Sequence, residues 1–143
     1  MSDEQLYFLY TDGCSKGNPG LAAGGILILD SKDNIILSKK IFIGKNFTNN
    51  EAEYLTMLEG LITAKKIGIK NIAIFSDSQL VVRQIKGEYK IKKERLRKIN
   101  QEIMKVLSYF ERYEINSVPR ENKYIQVVDK LANEKIKEII KKQ

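Results

Sequence analysis

Histidine is missing from all 143 residues, which takes away the commonest general base and a frequent metal ligand. Hydrolytic chemistry in this chain has to run on carboxylates, lysine, tyrosine or one thiol. Cysteine occurs once, as Cys14. That excludes an internal disulfide and a cysteine-built zinc cluster, and a reducing cytoplasm is the expected location. No apolar run reaches the roughly 18 residues of a membrane-spanning helix, so no membrane partner is expected. The N-terminus, MSDEQLYFLY, is acidic before it is apolar, the reverse of a secretory signal.

What is present points to one folded unit. Hydrophobic residues make up 43%, too many for a disordered chain. The length suits a single compact domain over residues 1–143, with a monomer as the simplest state. Lysine and arginine number 25 against 18 aspartates and glutamates, a net charge of +7. Such a balance favours polyanionic partners, nucleic acid first among them; general surface solvation is the plain alternative.

Strands are expected at 5–11 (QLYFLYT), 22–30 (AAGGILILD) and 35–43 (IILSKKIFI), with SKDN as a turn, giving an antiparallel meander. From Asn50 to Ile67 the apolar positions recur three or four apart, predicting a helix. Thr48 with Glu51 is a capping-box pattern at its start, and Gly68 a stop at its end. A buried strand at 71–76 (NIAIFS) precedes a helix from Ser78 to Ile85. A helix at 93–107, an alternating edge strand at 110–118 and a helix from Val128 to Lys141 complete the chain. The order β-β-β-α-β-α-α-β-α predicts an α/β fold: a five-stranded mixed sheet, three antiparallel strands then two parallel crossovers, flanked by helices.

Asp12 is expected at the end of the first strand and Asp77 at the end of the fourth. If those strands are parallel neighbours, both acids lie on the sheet edge where α/β proteins bind ligands. Glu53 sits one turn into its helix, on the flank of the apolar stripe, and Asp129 is expected to open the last helix. Each acid has a plain role too, as turn cap, helix cap or solvated residue. Taken jointly they suggest a shared site, which must raise a pKa or bind a cation. Hard divalent cations such as Mg²⁺ prefer oxygen ligands. Two of them held a few ångströms apart serve phosphodiester hydrolysis without histidine. Gly13, Gly17 and Gly20 fit neither the dinucleotide nor the phosphate-loop spacing. They suit either close backbone approach to a ligand or a simple hairpin loop.

In sequence order YTDG, GNPG, TNN with a glutamate three residues on, SDSQ, and DKLAN together resemble ribonuclease H type 1, of the short form without an N-terminal hybrid-binding domain. The resemblance spans nearly the whole chain. It implies a ribonuclease H-like fold and endonucleolytic hydrolysis of the RNA strand of RNA–DNA hybrids. Asp12, Glu53, Asp77 and Asp129 match the family's four metal-binding acids. They would hold two Mg²⁺ ions, with Mn²⁺ as a substitute. One ion, bridged by Asp12, would prepare the water and the other would stabilise the leaving 3′ oxygen. The products would carry 5′-phosphate and 3′-hydroxyl ends. Gly13, Cys14, Ser15, Gly17 and Asn18, with Asn49, Asn50 and Gln79, match positions that follow the RNA through its 2′-hydroxyls. Thr48 matches a DNA-phosphate contact.

One stretch departs from the family pattern. In PRENKYIQVVDKLAN, Asn122 lies seven residues before Asp129 and Ile125 four, so the loop reads as about three residues longer than usual. Glu121 is the candidate there for a residue that assists turnover. Lys86, Lys90, Lys92, Lys93, Arg95, Arg97 and Lys98 cluster between the fourth and fifth strands. They form either a patch that tracks a phosphate backbone or a solvated helix face. Two alternatives to the hybrid nuclease stand beside it: a catalytically weak nucleic-acid-binding module, and a nuclease that also cuts double-stranded RNA.

Overall fold

Both faces of the central strands are apolar, so LYFLY and GGILIL read as continuous hydrophobic runs, as expected for a sheet covered by helices on each side. The computed structural model describes residues 4–143; the domain expected over 1–143 thus begins outside the described residues. The elements are β1 (Leu6–Lys16), β2 (Gly20–Leu29), β3 (Ile35–Phe47), α1 (Asn49–Lys66), β4 (Asn71–Ser76), α2 (Gln79–Ile85), α3 (Glu94–Leu107), β5 (Arg112–Ser117) and α4 (Lys123–Lys141). The sheet order is β3-β2-β1-β4-β5. β1–β2 and β2–β3 are antiparallel, whereas β1–β4 and β4–β5 are parallel. The expected five-stranded mixed sheet, with its meander and two crossovers, is the one observed.

Alternation along the strands divides the core in two. Leu9, Ile26, Ile28 and Ile74 face Tyr54, Met57 and Leu61 of α1 together with Val81 of α2 and Ile103 of α3. On the opposite face Tyr10, Leu27 and Leu29 meet Ile125 and Val128 of α4. Two adjacent glycines in β2 let helices press on both sides at one level. A Cβ at Gly24 would lie 2.0 Å from the Thr56 hydroxyl oxygen, and one at Gly25 would lie 2.1 Å from the Val128 carbonyl oxygen. Nothing larger than hydrogen fits at either position.

α1 starts as its sequence predicts. The Thr48 side chain accepts from the Glu51 N–H at 3.1 Å, and Glu51 accepts from the Thr48 N–H at 2.8 Å.

Two expectations need correction. β1 does not end at Asp12; antiparallel pairing with β2 carries it on to Lys16, opposite Leu21. The glycine-rich stretch is therefore mostly strand, with its turn confined to the residues around Gly17, whose φ is +85°. α4 begins at Lys123, not Val128. Asn122 caps it, accepting from the N–H groups of Tyr124 at 2.9 Å and Ile125 at 3.2 Å. Residues read as loop are thus helix, and Asp129 stands in the second turn.

Candidate active site

Asp12 sits where the two halves of the sheet part. Parallel pairing of β1 with β4 stops at Tyr10 opposite Phe75, while pairing with β2 places Asp12 opposite Gly25. β4 ends at Ser76, so Asp77 leaves the sheet beside Asp12, at the carboxyl edge of the parallel strands.

Gly13 brings α1 to the same point. A Cβ there would be 2.3 Å from the Ala52 carbonyl oxygen and 2.6 Å from the Glu53 nitrogen. The bare backbone lets the first turn of α1 lie on β1, and the Glu53 carboxylate accepts a hydrogen bond from the Gly13 backbone. One carboxylate oxygen each from Asp12, Glu53 and Asp77 lie within 4.8 Å of one another.

Asp129 approaches from the other face of the sheet, on α4, and lines the same hollow as Asp12. It is steadied one turn on by Asn133, whose amide donates to the Asp129 carbonyl at 2.9 Å and to its carboxylate at 3.4 Å. All four acids line one hollow of about 200 Å³, together with Gly13, Cys14, Asn49 and Arg120. A larger hollow of about 670 Å³ lies between β3, α1 and α3. It is walled mostly by aliphatic and aromatic side chains and holds no acid cluster.

Crowding shows in the electrostatics. Burial first, and then the charges of its acidic neighbours, push Asp12 up to about 7. Glu53 rises well above the usual carboxylate range through burial and the nearby charge of Asp12. Burial also raises Asp77, against the opposing pull of Arg120. Burial and the surrounding carboxylates lift the Cys14 thiol to about 11. Its side chain forms part of the wall of the hollow. Three carboxylates facing one another, Asp12 buried and Glu53 and Asp77 half-buried, with one guanidinium nearby form an all-oxygen donor set short of positive charge, which fits a hard divalent cation.

The residues expected to follow the RNA fall into two groups. Gly13, Cys14 and Asn49 line the hollow. Ser15, Gly17, Asn18, Thr48, Asn50 and Gln79 stand outside it. Ser15, Asn18 and Asn49 are joined: the Ser15 N–H donates to the Asn49 side chain at 2.8 Å, and the Asn49 N–H donates to the Asn18 side chain at 3.0 Å. The Ser15 hydroxyl, with one proton to donate, lies within hydrogen-bond reach of the carbonyls of Gly17 and Phe47. The β1–β2 turn is thereby tied to the start of α1. Gln79 is exposed at the start of α2, and Glu121 is exposed next to Arg120 on the loop. Sequence reasoning missed Arg120 and Asn133. Arg120 follows β5 at the same sheet edge, and Asn133 is four residues after Asp129, so strand order and helical spacing were the available signals.

A five-stranded sheet in this order, with acids gathered at its carboxyl edge, defines a ribonuclease H-like domain. A family model described as reverse transcriptase-like matches residues 10–135. Ribonuclease HI of Halobacterium salinarum is 35% identical over 125 residues, covering 87% of this chain and 61% of that protein. A bifunctional protein of Mycobacterium tuberculosis is 38% identical over 125 residues, 86% of this chain and 33% of the relative. The chain thus spans about a third to three-fifths of the length of these curated relatives. Among solved structures, the crystal structure of ribonuclease H1 from Halobacterium salinarum matches with a TM-score of 0.88 and 32% identity, over 93% of this chain and 98% of that one. A compost-derived ribonuclease H1, solved in complex with an RNA/DNA hybrid, matches with a TM-score of 0.79 and 30% identity, over 91% of this chain and 99% of that one. The chain belongs to the ribonuclease H type 1 family.

Proposed function

We propose that this chain is an endoribonuclease that hydrolyses the RNA strand of RNA–DNA hybrids, leaving 5′-phosphate and 3′-hydroxyl ends. The observation that carries the reading is the meeting of Asp12, Glu53 and Asp77, within 4.8 Å at their carboxylates, in a hollow that Asp129 also lines. Kinship with a ribonuclease H1 solved on an RNA/DNA hybrid supports the choice of substrate. Asp12, Glu53, Asp77 and Asp129 would hold two divalent cations, Mg²⁺ or in its place Mn²⁺, which when bound neutralise the acids and make a coordinated water more acidic.

The rest is the work of the chain itself. Gly13, Cys14 and Asn49 form the wall along which the sugar edge of the RNA passes, with Ser15, Gly17, Asn18, Asn50 and Gln79 along its approach. Glycine backbone leaves room there for 2′-hydroxyls, the groups that separate RNA from DNA. Thr48 keeps a hydroxyl proton to offer a DNA phosphate, since in its cap it only accepts. Arg120 places a fixed positive charge beside Asp77, where the cleaved phosphate would pass. The domain acts as a monomer in the cytoplasm.

A labelled hybrid incubated with Mg²⁺, Mn²⁺ or EDTA tests this. Cleavage of the hybrid RNA strand, dependent on the cation and absent on duplex DNA, is expected. Binding without cleavage would leave a nucleic-acid-binding module, and equal cleavage of double-stranded RNA would refute hybrid selectivity.

A further inference from the structure

Between α2 and α3 the chain runs through residues 86–93 without helix or strand. Lys86, Lys90, Lys92 and Lys93 are exposed there, with Glu88 as the one acid. A charged surface loop of this kind is ordinarily loose. This one is fastened at several points. Gly87 turns the chain with φ at +82°. The N–H groups of Glu88 and Tyr89 both donate to the Arg83 carbonyl, at 2.9 and 3.2 Å. The Lys92 carbonyl accepts from Arg97 at 3.4 Å, and Ile91 packs against the main core.

The link at the middle of the arm reaches deepest. Gln84 donates through its amide nitrogen to the Lys90 carbonyl at 3.1 Å. Its amide oxygen accepts from the Tyr54 hydroxyl at 2.6 Å. Tyr54 itself has no exposed surface. A relay therefore runs from the buried heart of α1, through Gln84, to the backbone of the arm. Just beyond, Arg95 pairs with Glu51 at 2.8 Å and lies over the Phe47 ring at 4.7 Å. This fixes the start of α3 to the first turn of α1, the turn that begins with Asn49 of the hollow.

We infer that Tyr54 and Gln84 are positioning residues for the nucleic-acid duplex: their relay holds the 86–93 arm in one shape, so that its lysines meet backbone phosphates without first being ordered. Preorganisation of this kind raises affinity by removing the ordering cost from the binding step. Phosphate contacts made by fixed lysines appear as salt dependence. The inference rests on the hybrid-nuclease reading for its ligand, but not on hydrolysis.

The test compares wild type, Gln84→Met and Tyr54→Phe by fluorescence anisotropy with a labelled RNA–DNA hybrid in EDTA, across a salt series. Each variant is also made with Lys90→Gln and Lys92→Gln present. With the lysines intact, Gln84→Met should weaken binding about 3–10-fold near physiological salt and flatten the salt slope by about one. Tyr54→Phe should act in the same direction, and the two should combine non-additively. With Mg²⁺ present, KM should rise and kcat should hold. With both lysines neutralised, the effect of Gln84→Met should shrink, since only Lys86 and Lys93 of the arm then remain to be positioned. Unchanged affinity and slope, or equal weakening without the lysines, overturns the inference. Wild-type protein that binds hybrid but does not cut it would refute the nuclease reading and leave this one standing. Wild-type protein that does not bind hybrid at all would end both.

Discussion

Asp12→Asn should make the metal-free protein more stable while abolishing hybrid cleavage. Asp12 is 6% exposed, and its pKa stands at about 7 in place of 3.8. Each tenfold change in proton affinity corresponds to about 1.4 kcal/mol, so keeping this group ionised above neutrality costs the fold on the order of 4 kcal/mol. The repulsion is shared with Glu53 and Asp77, so removing one charge should recover less, on the order of 1–3 kcal/mol. For a chain of this size that is about 2–10 °C in Tm. The sign with pH follows from the raised value. The folded chain holds this proton more tightly than the unfolded one, so the destabilisation is full above about pH 7 and fades toward about pH 4. Metal-free wild type should therefore gain stability from this group on acidification from about pH 8 to about pH 5, and Asp12→Asn should lose most of that gain. Millimolar Mg²⁺ should raise the wild-type Tm above neutrality and leave the variant nearly unmoved, because only a folded site that binds the cation is stabilised by it. Thermal denaturation at both pH values, with EDTA and with Mg²⁺, is the measurement, alongside hybrid cleavage. A variant less stable than wild type in EDTA at high pH, or identical pH dependence in the two proteins, would refute the charge-crowding argument. Full cleavage by Asp12→Asn would refute the site.

Other perturbations test how the site is built. Gly13→Ala drives a methyl group into the Ala52 carbonyl; a loss of about 1–3 kcal/mol is expected in urea unfolding, with hybrid cleavage falling further because Glu53 is carried away with α1. Arg120→Ala removes the charge that pulls Asp77 down, so Asp77 should titrate higher and the acidic limb of the cleavage–pH profile should move to higher pH. An unmoved profile would show that Arg120 does not act on the site. Asn122→Ala strips the cap of α4 and should cost about 1 kcal/mol, with faster amide exchange at Tyr124 and Ile125 as its local signature.

The fold was legible because local pattern and tertiary demand agree over most of the chain. Thr48 and Glu51 announced the start of α1 by chemistry that needs nothing beyond the first turn, and the structure has that cap in place. The start of α4 is hidden in the sequence for the opposite reason. Its first residues, KYIQ, show no apolar period until Ile125 and Val128 are seen to face Leu27 and Leu29 of β2. The cap that starts it, Asn122, is also an ordinary loop residue. The continuation of β1 past Thr11 is hidden because glycines at 13 and 17 suit a hairpin loop as well as a strand. In the structure Gly13 is flat strand, kept small for the helix that lies on it.

The site was legible in its acids and illegible in its supports. Asp12 and Asp77 could be placed together from strand order alone, since a parallel pair carries its chain ends to one edge. Nothing local told that Gly24 and Gly25 would have to be bare so that Glu53 could descend from one face and Asp129 from the other. That requirement exists only once α1 and α4 are seen pressing on opposite sides of β2, with Thr56 and Val128 at the contact. Adjacent residues on one strand thus serve opposite faces. An alanine at Gly24 meets the Thr56 side chain as far in as its Cβ, 2.8 Å away, which no rotamer withdraws, and an alanine at Gly25 meets the Val128 backbone. Each substitution should therefore push one helix off the sheet: Gly24→Ala should displace α1 and with it Glu53, Gly25→Ala should displace α4 and with it Asp129, and hybrid cleavage should fall in both.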